Sequence, residues 1–365
     1  MSCDPAARAG AVLEVDLGAV AANWRSLAER AAPAACAAVV KANAYGLGAA
    51  PVACALAASG VRLFFVATLD EGIALRQALG DGLEIAVLNG PFPGTAAEFV
   101  AYGLIPVLNH PGQIETWIEH GRGRRAILHI DTGMARLGLT PREFAAFVED
   151  RPPIAWRAVI SHLACADEPE HPLNARQQDR FAAVAARFPG VPASLAASSG
   201  IFLGAAHHLD LVRPGAALYG VNPLRGRPNP LRPVVRLMAK IIQTREIDSG
   251  ESVGYGAAHV MEAPGRVATA AIGYADGWLR ALSRRGCGFI GGERVPLLGR
   301  VSMDLCAFDV SAVPPPLARP GMTIELLGPR YGVDDVASDA GTIGYEILTA
   351  LGSRYHRVYR DSPAG

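Results

Sequence analysis

The run Cys36-Ala37-Ala38-Val39-Val40 is apolar throughout, stops at Lys41, and is followed closely by Gly46 and Gly48. An unbroken apolar stretch with no polar alternation is the pattern of a strand buried on both faces, as in a parallel sheet, and the glycines mark its passage into a loop. Runs of the same kind recur at residues 63–67, 85–88, 105–108, 126–130, 158–163, 193–196 and 209–212, which makes eight with the first. Helix-like segments at 71–79, 141–148 and 174–188 lie between several of them. Upstream, Asp16 is placed to cap a helix in which Leu17, Val20, Trp24 and Leu27 recur at helical spacing. Eight strands alternating with helices over roughly 220 residues match the rhythm of a (β/α)8 TIM barrel, with a doubly wound sheet as the alternative. A barrel makes a specific demand: its chemistry sits at the C-terminal ends of the strands. Lys41, the stretch 131–136, His162, Ser198 and Arg213 all fall at or just beyond the ends of their runs.

After Pro230 the texture changes. Segments 240–247, 266–272, 287–290, 294–298, 302–310 and 323–327 read as extended, separated by turn signals such as Asp248-Ser249-Gly250 and Gly291-Gly292, with little helix until 345–351. The segment 222–233, with four prolines, is the natural boundary. The fold class expected is therefore α/β: a barrel over 10–230, then a mostly β domain over 231–365, with the extreme N-terminus as a candidate additional strand of that domain.

Composition narrows the partners. The 34 basic residues balance the 34 acidic ones and no Lys/Arg block occurs, so a nucleic-acid partner has no electrostatic footprint. Half the residues are apolar, yet the most apolar run, 31–40, contains Pro33 and has about half the length of a membrane span. The first ten residues contain Asp4 and Arg8 and no apolar core of a signal peptide, so a cytoplasmic protein is expected. Cys3, Cys36, Cys54, Cys165, Cys287 and Cys306 are scattered without a CxxC pair, which fits reduced thiols better than disulfides or zinc ligands. No metal site is expected.

A lysine at the buried end of an apolar strand is desolvated, which depresses its pKa and favours the neutral amine needed for a Schiff base; a lysine that simply reaches solvent is the commoner case. Ser198-Ser199-Gly200 after the seventh run and Arg213-Pro214-Gly215-Ala216 after the eighth offer hydroxyl and backbone N–H donors where barrels frequently hold phosphate. A strand-end lysine and a phosphate cup near it around a closed ring describe a pyridoxal phosphate site, with His162 placed to stack on a flat ring; a histidine there is more commonly a hydrogen-bonded core residue.

These residues carry a specific resemblance. Val39-Val40-Lys41-Ala42-Asn43-Ala44-Tyr45-Gly46-Leu47-Gly48 resembles the cofactor-lysine signature of bacterial alanine racemases, pyridoxal phosphate enzymes built from a barrel and a β domain. Asp131-Thr132-Gly133-Met134-Ala135-Arg136-Leu137-Gly138, Val212-Arg213-Pro214-Gly215-Ala216-Ala217-Leu218-Tyr219-Gly220, Ser252-Val253-Gly254-Tyr255-Gly256, Ile272-Gly273-Tyr274-Ala275-Asp276-Gly277 and Gly299-Arg300-Val301-Ser302-Met303-Asp304 resemble further family motifs in the same order. The resemblance implies interconversion of L-alanine and D-alanine on pyridoxal 5'-phosphate, to supply D-alanine for peptidoglycan or to degrade L-alanine. It implies that Lys41 holds the cofactor and acts as one catalytic base, and that Tyr255 from a second subunit is the other. Tyr45, Ser198, Gly215, Ala216 and Tyr345 would hold the phosphate, His162 would lie along the pyridine ring, and Arg213 would bond its nitrogen. Arg136 and the backbone of the second subunit's Met303 would bind the substrate carboxylate. A homodimer with shared active sites follows.

Two departures stand out. Many family members have a carbamylated lysine where His129 stands, its charge orienting the carboxylate-binding arginine; here another anion, or hydrogen bonding by His129 and Asp131, would have to hold Arg136, or the arginine would be less constrained. Ala197 replaces a common asparagine beside the cofactor, so weaker cofactor retention is expected. A racemase of broader, serine-leaning specificity is an alternative the motifs leave open. A same-fold amino-acid decarboxylase is opposed by Arg213 and the Tyr255 motif, and a single-domain pyridoxal phosphate carrier by the β-rich segment after Pro230.

Overall fold

The computed structural model describes residues 4–121 and 123–361; Cys3 lies outside them. Its first strand, β1 (Ala11–Asp16), alternates buried and half-buried residues. That is the signature of a sheet with one face on a core, unlike the buried strands that follow it. Asp16 Oδ1 then accepts the Ala19 N–H at 2.8 Å, capping the helix Leu17–Ala31 as its sequence requires.

Residues 20–231 form one compact unit. Its parallel strands are β2 (Ala35–Cys36), β3 (Ala38–Val39), β4 (Leu63–Val66), β5 (Glu84–Val87), β6 (Ile105–Leu108), β7 (Ala126–His129), β8 (Trp156–Ile160), β9 (Ala193–Ser194) and β10 (Leu211–Val212). Strands β3 to β9 pair in chain order, and β10 pairs in parallel with β2. Ala37 N–H donates to Val212 O and Val39 N–H to Pro214 O, so β2 and β3 act as one strand with a break at Ala37. A bridge between Ala197 and Arg213 joins β9 to β10. Eight strands thus close the ring. Every residue of β4 and β6 is buried, because one face meets the barrel interior and the other the helices.

The second unit comprises the described residues through Ala19 and the chain from Arg232 onward. Its strands are β11 (Val235–Ile247), β12 (Ser252–Val253), β13 (His259–Val260), β14 (Gly265–Ala270), β15 (Cys287–Ile290), β16 (Glu293–Leu298), β17 (Cys306–Asp309), β18 (Thr323–Leu327) and β19 (His356–Arg360). The main sheet runs β14-β17-β16-β15-β18-β11-β1-β19, and β11 also pairs with β14, which closes six of its strands into a second, antiparallel ring. β1 lies between β11 and β19. Residues 11–19, read within the 10–230 barrel with the extreme N-terminus as a candidate strand of the β domain, group with this unit. The helix Val333–Ala340 was not expected from the sequence, and the extended stretch expected at 302–310 is strand only from Cys306. No helix among the described residues is long and apolar enough to cross a membrane.

Candidate active site

Lys41 ends the β3 run and begins a turn that the sequence does not announce. Ala42, Asn43, Ala44 and Tyr45 all have φ between 51° and 54°, one turn of left-handed helix made without glycine. Each such residue costs roughly 1–2 kcal/mol, so the turn persists only if its surroundings hold it. They do so by hydrogen bonds. Ala44 N–H donates to Val40 O at 2.8 Å, Gly46 N–H to Ala42 O at 2.8 Å, and Ala49 N–H to Asn43 Oδ1 at 2.8 Å, while Glu71 Oε1 accepts from Ala42 N–H at 2.7 Å. Burial, and secondly the charge of Arg136, hold the Lys41 amine below its usual range, with Glu71 opposing them.

Arg213, just past β10, is 5% exposed and spends both Nη atoms on protein partners. One Nη donates to Ser194 Oγ; the other donates to Ser161 O at 2.7 Å and lies 3.5 Å from His162 Nδ1. Its Nε makes no hydrogen bond to a described residue. Burial lowers the guanidinium to about 10, still well above neutral pH, so Arg213 remains a cation. Burial first, then Arg213 and further cations, push His162 down to about 3, so its ring is neutral. Gln177, on the helix Pro172–Ala185, fixes this layer by donating to His162 O at 2.9 Å and to Thr132 Oγ1 at 3.2 Å.

Beside it lies a cup of donors. Ser198 Oγ accepts from Gly215 N–H at 3.0 Å and from Ala217 N–H at 3.2 Å. With two N–H groups bonded to its oxygen, the hydroxyl proton is left to donate elsewhere. A Cβ on Gly215 would run into the Tyr45 hydroxyl, which is why this position carries glycine. Tyr45 packs against Tyr219, ring centroids 4.8 Å apart, and Tyr219 Oη donates to Val39 O at 2.9 Å. Hydroxyls and backbone N–H groups at the ends of β9 and β10, a partly desolvated amine and an open Arg213 Nε form a donor set that fits the phosphate, aldehyde and ring nitrogen of pyridoxal phosphate. No group of three or more metal-ligating side chains occurs among the described residues.

Arg136 lies exposed on the loop after β7. Asp131 organises that loop: Oδ1 accepts from Gly133 N–H at 2.8 Å and Met134 N–H at 2.9 Å, and Oδ2 from Ala135 N–H at 3.0 Å. His129 Nδ1 is 2.8 Å from Asn109 Oδ1. The Asn109 amide nitrogen donates to Leu88 O and Val107 O, both at 3.0 Å, so its oxygen is the acceptor and His129 Nδ1 carries the proton. Burial and then Arg213 lower His129 to about 4, against Asp131. The hydrogen bonds of His129 and Asp131 go to Asn109 and the loop backbone; neither residue bonds the Arg136 side chain. Asn109, Ser161 and Ser194, at or just past the ends of β6, β8 and β9, are not among the candidates read from the sequence, where Ser161 and Ser194 fall inside runs read as strand.

The remaining three residues lie on the other unit. Tyr255 opens a 3-10 turn, Tyr255–Ala257, between Gly254 and Gly256 at φ 73° and 69°, and is 73% exposed. Met303 is 54% exposed on a loop held by Tyr274 N–H to Ser302 O at 3.0 Å and Ala275 N–H to Met303 O at 2.9 Å. Arg354 clamps that arrangement, with Nε 3.0 Å from Asp276 Oδ1 and Nη1 2.7 Å from Asp304 Oδ1. Tyr345, on the helix Gly344–Ala350, is 39% exposed.

Comparison with known proteins agrees with this geometry. Residues 15–223 match the alanine racemase N-terminal domain family and residues 234–359 the alanine racemase C-terminal domain family. The alanine racemase of Rhodospirillum rubrum is 54% identical over 360 residues, 96% of each chain. A catabolic alanine racemase of Mesorhizobium japonicum is 52% identical over 97% of this chain and 94% of its own. The crystal structure of alanine racemase from Bartonella henselae with covalently bound pyridoxal phosphate superposes with a TM-score of 0.91 at 42% identity, over 96% of this chain and all of that one. Two domain families matched in order, at this identity and over nearly the whole length, show that the chain belongs to the alanine racemase family, whose members depend on pyridoxal phosphate.

Proposed function

We propose that the chain interconverts L-alanine and D-alanine, with Lys41 and Tyr255 as the two proton-transfer groups and with Tyr255 and Met303 contributed to each site by a second copy of the chain. The observation that carries this reading is the contrast between a buried, hydrogen-bonded barrel layer around Arg213 and the exposure of Tyr255 and Met303. A domain boundary close to residue 231, with β1 in the second domain, fits the same division. A cytoplasmic setting fits the free cysteines Cys36, Cys54, Cys165, Cys287 and Cys306 among the described residues.

Racemisation removes a proton from one face of the α-carbon and delivers another to the opposite face, so two groups serve it better than one. Pyridoxal phosphate, when bound, supplies the electron demand that makes that proton removable. Lys41 would hold it, and the lysine's lowered pKa keeps more of its amine neutral to take a proton. Tyr45, Ser198, Gly215, Ala216 and Tyr345 would bind the phosphate, and neutral His162 would lie along the ring. Arg213 can only donate, so it would hold the pyridine nitrogen unprotonated and keep the electron demand moderate. Arg136 and the Met303 backbone would bind the alanine carboxylate.

The test is an enantiomer-resolved assay with L-alanine, L-serine and a basic amino acid. Alanine racemised fastest supports the reading; no racemisation of alanine with added cofactor overturns it. Mixed Lys41→Ala and Tyr255→Phe proteins regain activity if sites are shared, and fail to do so despite subunit exchange if they are not.

A further inference from the structure

Glu71 does more than a helix cap requires. On the helix Leu69–Leu79 it completes a capping box with Thr68: Glu71 N–H donates to Thr68 Oγ1 and Thr68 N–H to Glu71 Oε2, both at 3.3 Å. That box leaves Oε1 unused. Oε1 instead accepts the Ala42 N–H at 2.7 Å, and Oε2 also accepts the Ala67 N–H at 2.8 Å. One carboxylate therefore ties the first left-handed residue after Lys41 to the chain leaving β4, the strand beside β3. Only an anion with two acceptor oxygens and no donor satisfies all three N–H groups at once.

We infer that Glu71 is a positioning residue for Lys41, its carboxylate holding the left-handed turn that sets the lysine and supplying a counter-charge that acts on the amine. This rests on the reading that Lys41 carries the cofactor. The groups acting on Lys41 are Arg136, which lowers its pKa as burial does, and Glu71, which raises it; His162 also feels Lys41 but is neutral. Removing the Glu71 charge must then lower the Lys41 pKa further, while removing its bonds must loosen the turn.

The experiment follows the attachment of pyridoxal 5'-phosphate to full-length cofactor-free protein across pH, through the absorbance of the bound cofactor, for wild type, Glu71→Gln, Glu71→Asp, Thr68→Ala and Lys41→Ala. In Glu71→Gln the midpoint for attachment moves to lower pH, changing the neutral-amine fraction about two- to tenfold, and the high-pH rate falls about three- to tenfold. In Glu71→Asp, which keeps the charge on a shorter arm, the midpoint stays and only the rate falls. Thr68→Ala lowers Tm with midpoint and rate unchanged. A Glu71→Gln protein that behaves like Thr68→Ala, or a Glu71→Asp protein with a lowered midpoint, overturns the inference. Attachment at the wild-type rate in Lys41→Ala would instead overturn the reading of Lys41 itself.

Discussion

Arg213, at the end of β10, is 5% exposed and spends both Nη atoms on protein partners, whereas Tyr255, between two glycines on the C-terminal domain, is 73% exposed. The same contrast separates Ser198, buried and accepting two N–H bonds, from Met303, whose side chain is 54% exposed while its backbone is held. Burying a polar group is costly unless it is hydrogen-bonded, so the barrel half has been built complete within one chain. Tyr255 and Met303 instead stand exposed, and in the proposed reading they acquire their environment from a second copy of the chain. Two exposures of this kind at motif residues are what a site completed by association needs.

The sharpest way to break the comparison is to remove one group from each half. Lys41→Ala should lower racemisation by about a thousandfold or more and abolish covalent cofactor binding, whereas Tyr255→Phe should lose about a hundred- to ten-thousandfold in rate with the cofactor still attached. Activity assays paired with the bound-cofactor absorbance separate the two. If both variants lose the cofactor, the division of labour between the halves is wrong.

Next in size, Gly215→Ala forces a methyl against the Tyr45 hydroxyl. It should destabilise the barrel by about 1–3 kcal/mol and weaken cofactor binding about tenfold or more. Thermal unfolding and cofactor titration measure these, and an unchanged affinity would remove Gly215 from the phosphate cup.

Acid should act on the barrel through His162 and His129. Their folded pKa values, about 3 and about 4, lie below the unfolded value near 6.5, so the unfolded chain binds more protons at intermediate pH. Stability is fully present above pH 6.5 and declines as pH falls toward those values, by up to about 1.4 kcal/mol per unit for each histidine. Tm against pH should show that slope, His162→Gln should flatten it, and Tyr255→Phe should leave it unchanged.

The smallest effect is expected from Ala197→Asn. Ala197 has no side-chain donor to offer beside Ser198, and restoring one should slow cofactor loss during dialysis by a few-fold, about the worth of one hydrogen bond. Faster loss would show that the methyl group is needed there for packing.

The barrel strands were legible because parallel strands buried on both faces read as unbroken apolar runs: β4, β6 and β7 fall inside the expected segments, and β5 begins one residue ahead of its own. The chemistry at their ends was legible for the same reason, since Lys41 and Arg213 are charges that interrupt apolar chain. Elsewhere the pattern gave out. The run at 209–212 is strand only at Leu211–Val212, and the helix expected at 174–188 spans Pro172–Ala185. Val333–Ala340 escaped notice because its buried face is built from short stretches, Val333 and Val336-Ala337, between aspartates.

Sequence alone determined the succession of strands along the chain and its two textures, because these depend on local patterns of burial; Lys41, the stretch 131–136, His162, Ser198 and Arg213 stood out by position, while Tyr255, Met303 and Tyr345 were candidates only through the family resemblance. Tertiary structure decided the rest. It put β1 beside β11 and β19, since an alternating strand must find a sheet with one open face. It imposed a left-handed turn on Ala42-Asn43-Ala44-Tyr45, which alanine and tyrosine disfavour, by placing the Glu71 carboxylate to accept the Ala42 N–H. It also made His162 and His129 neutral and kept Arg213 charged, because burial and neighbouring cations, which set a pKa, come from residues distant in the chain.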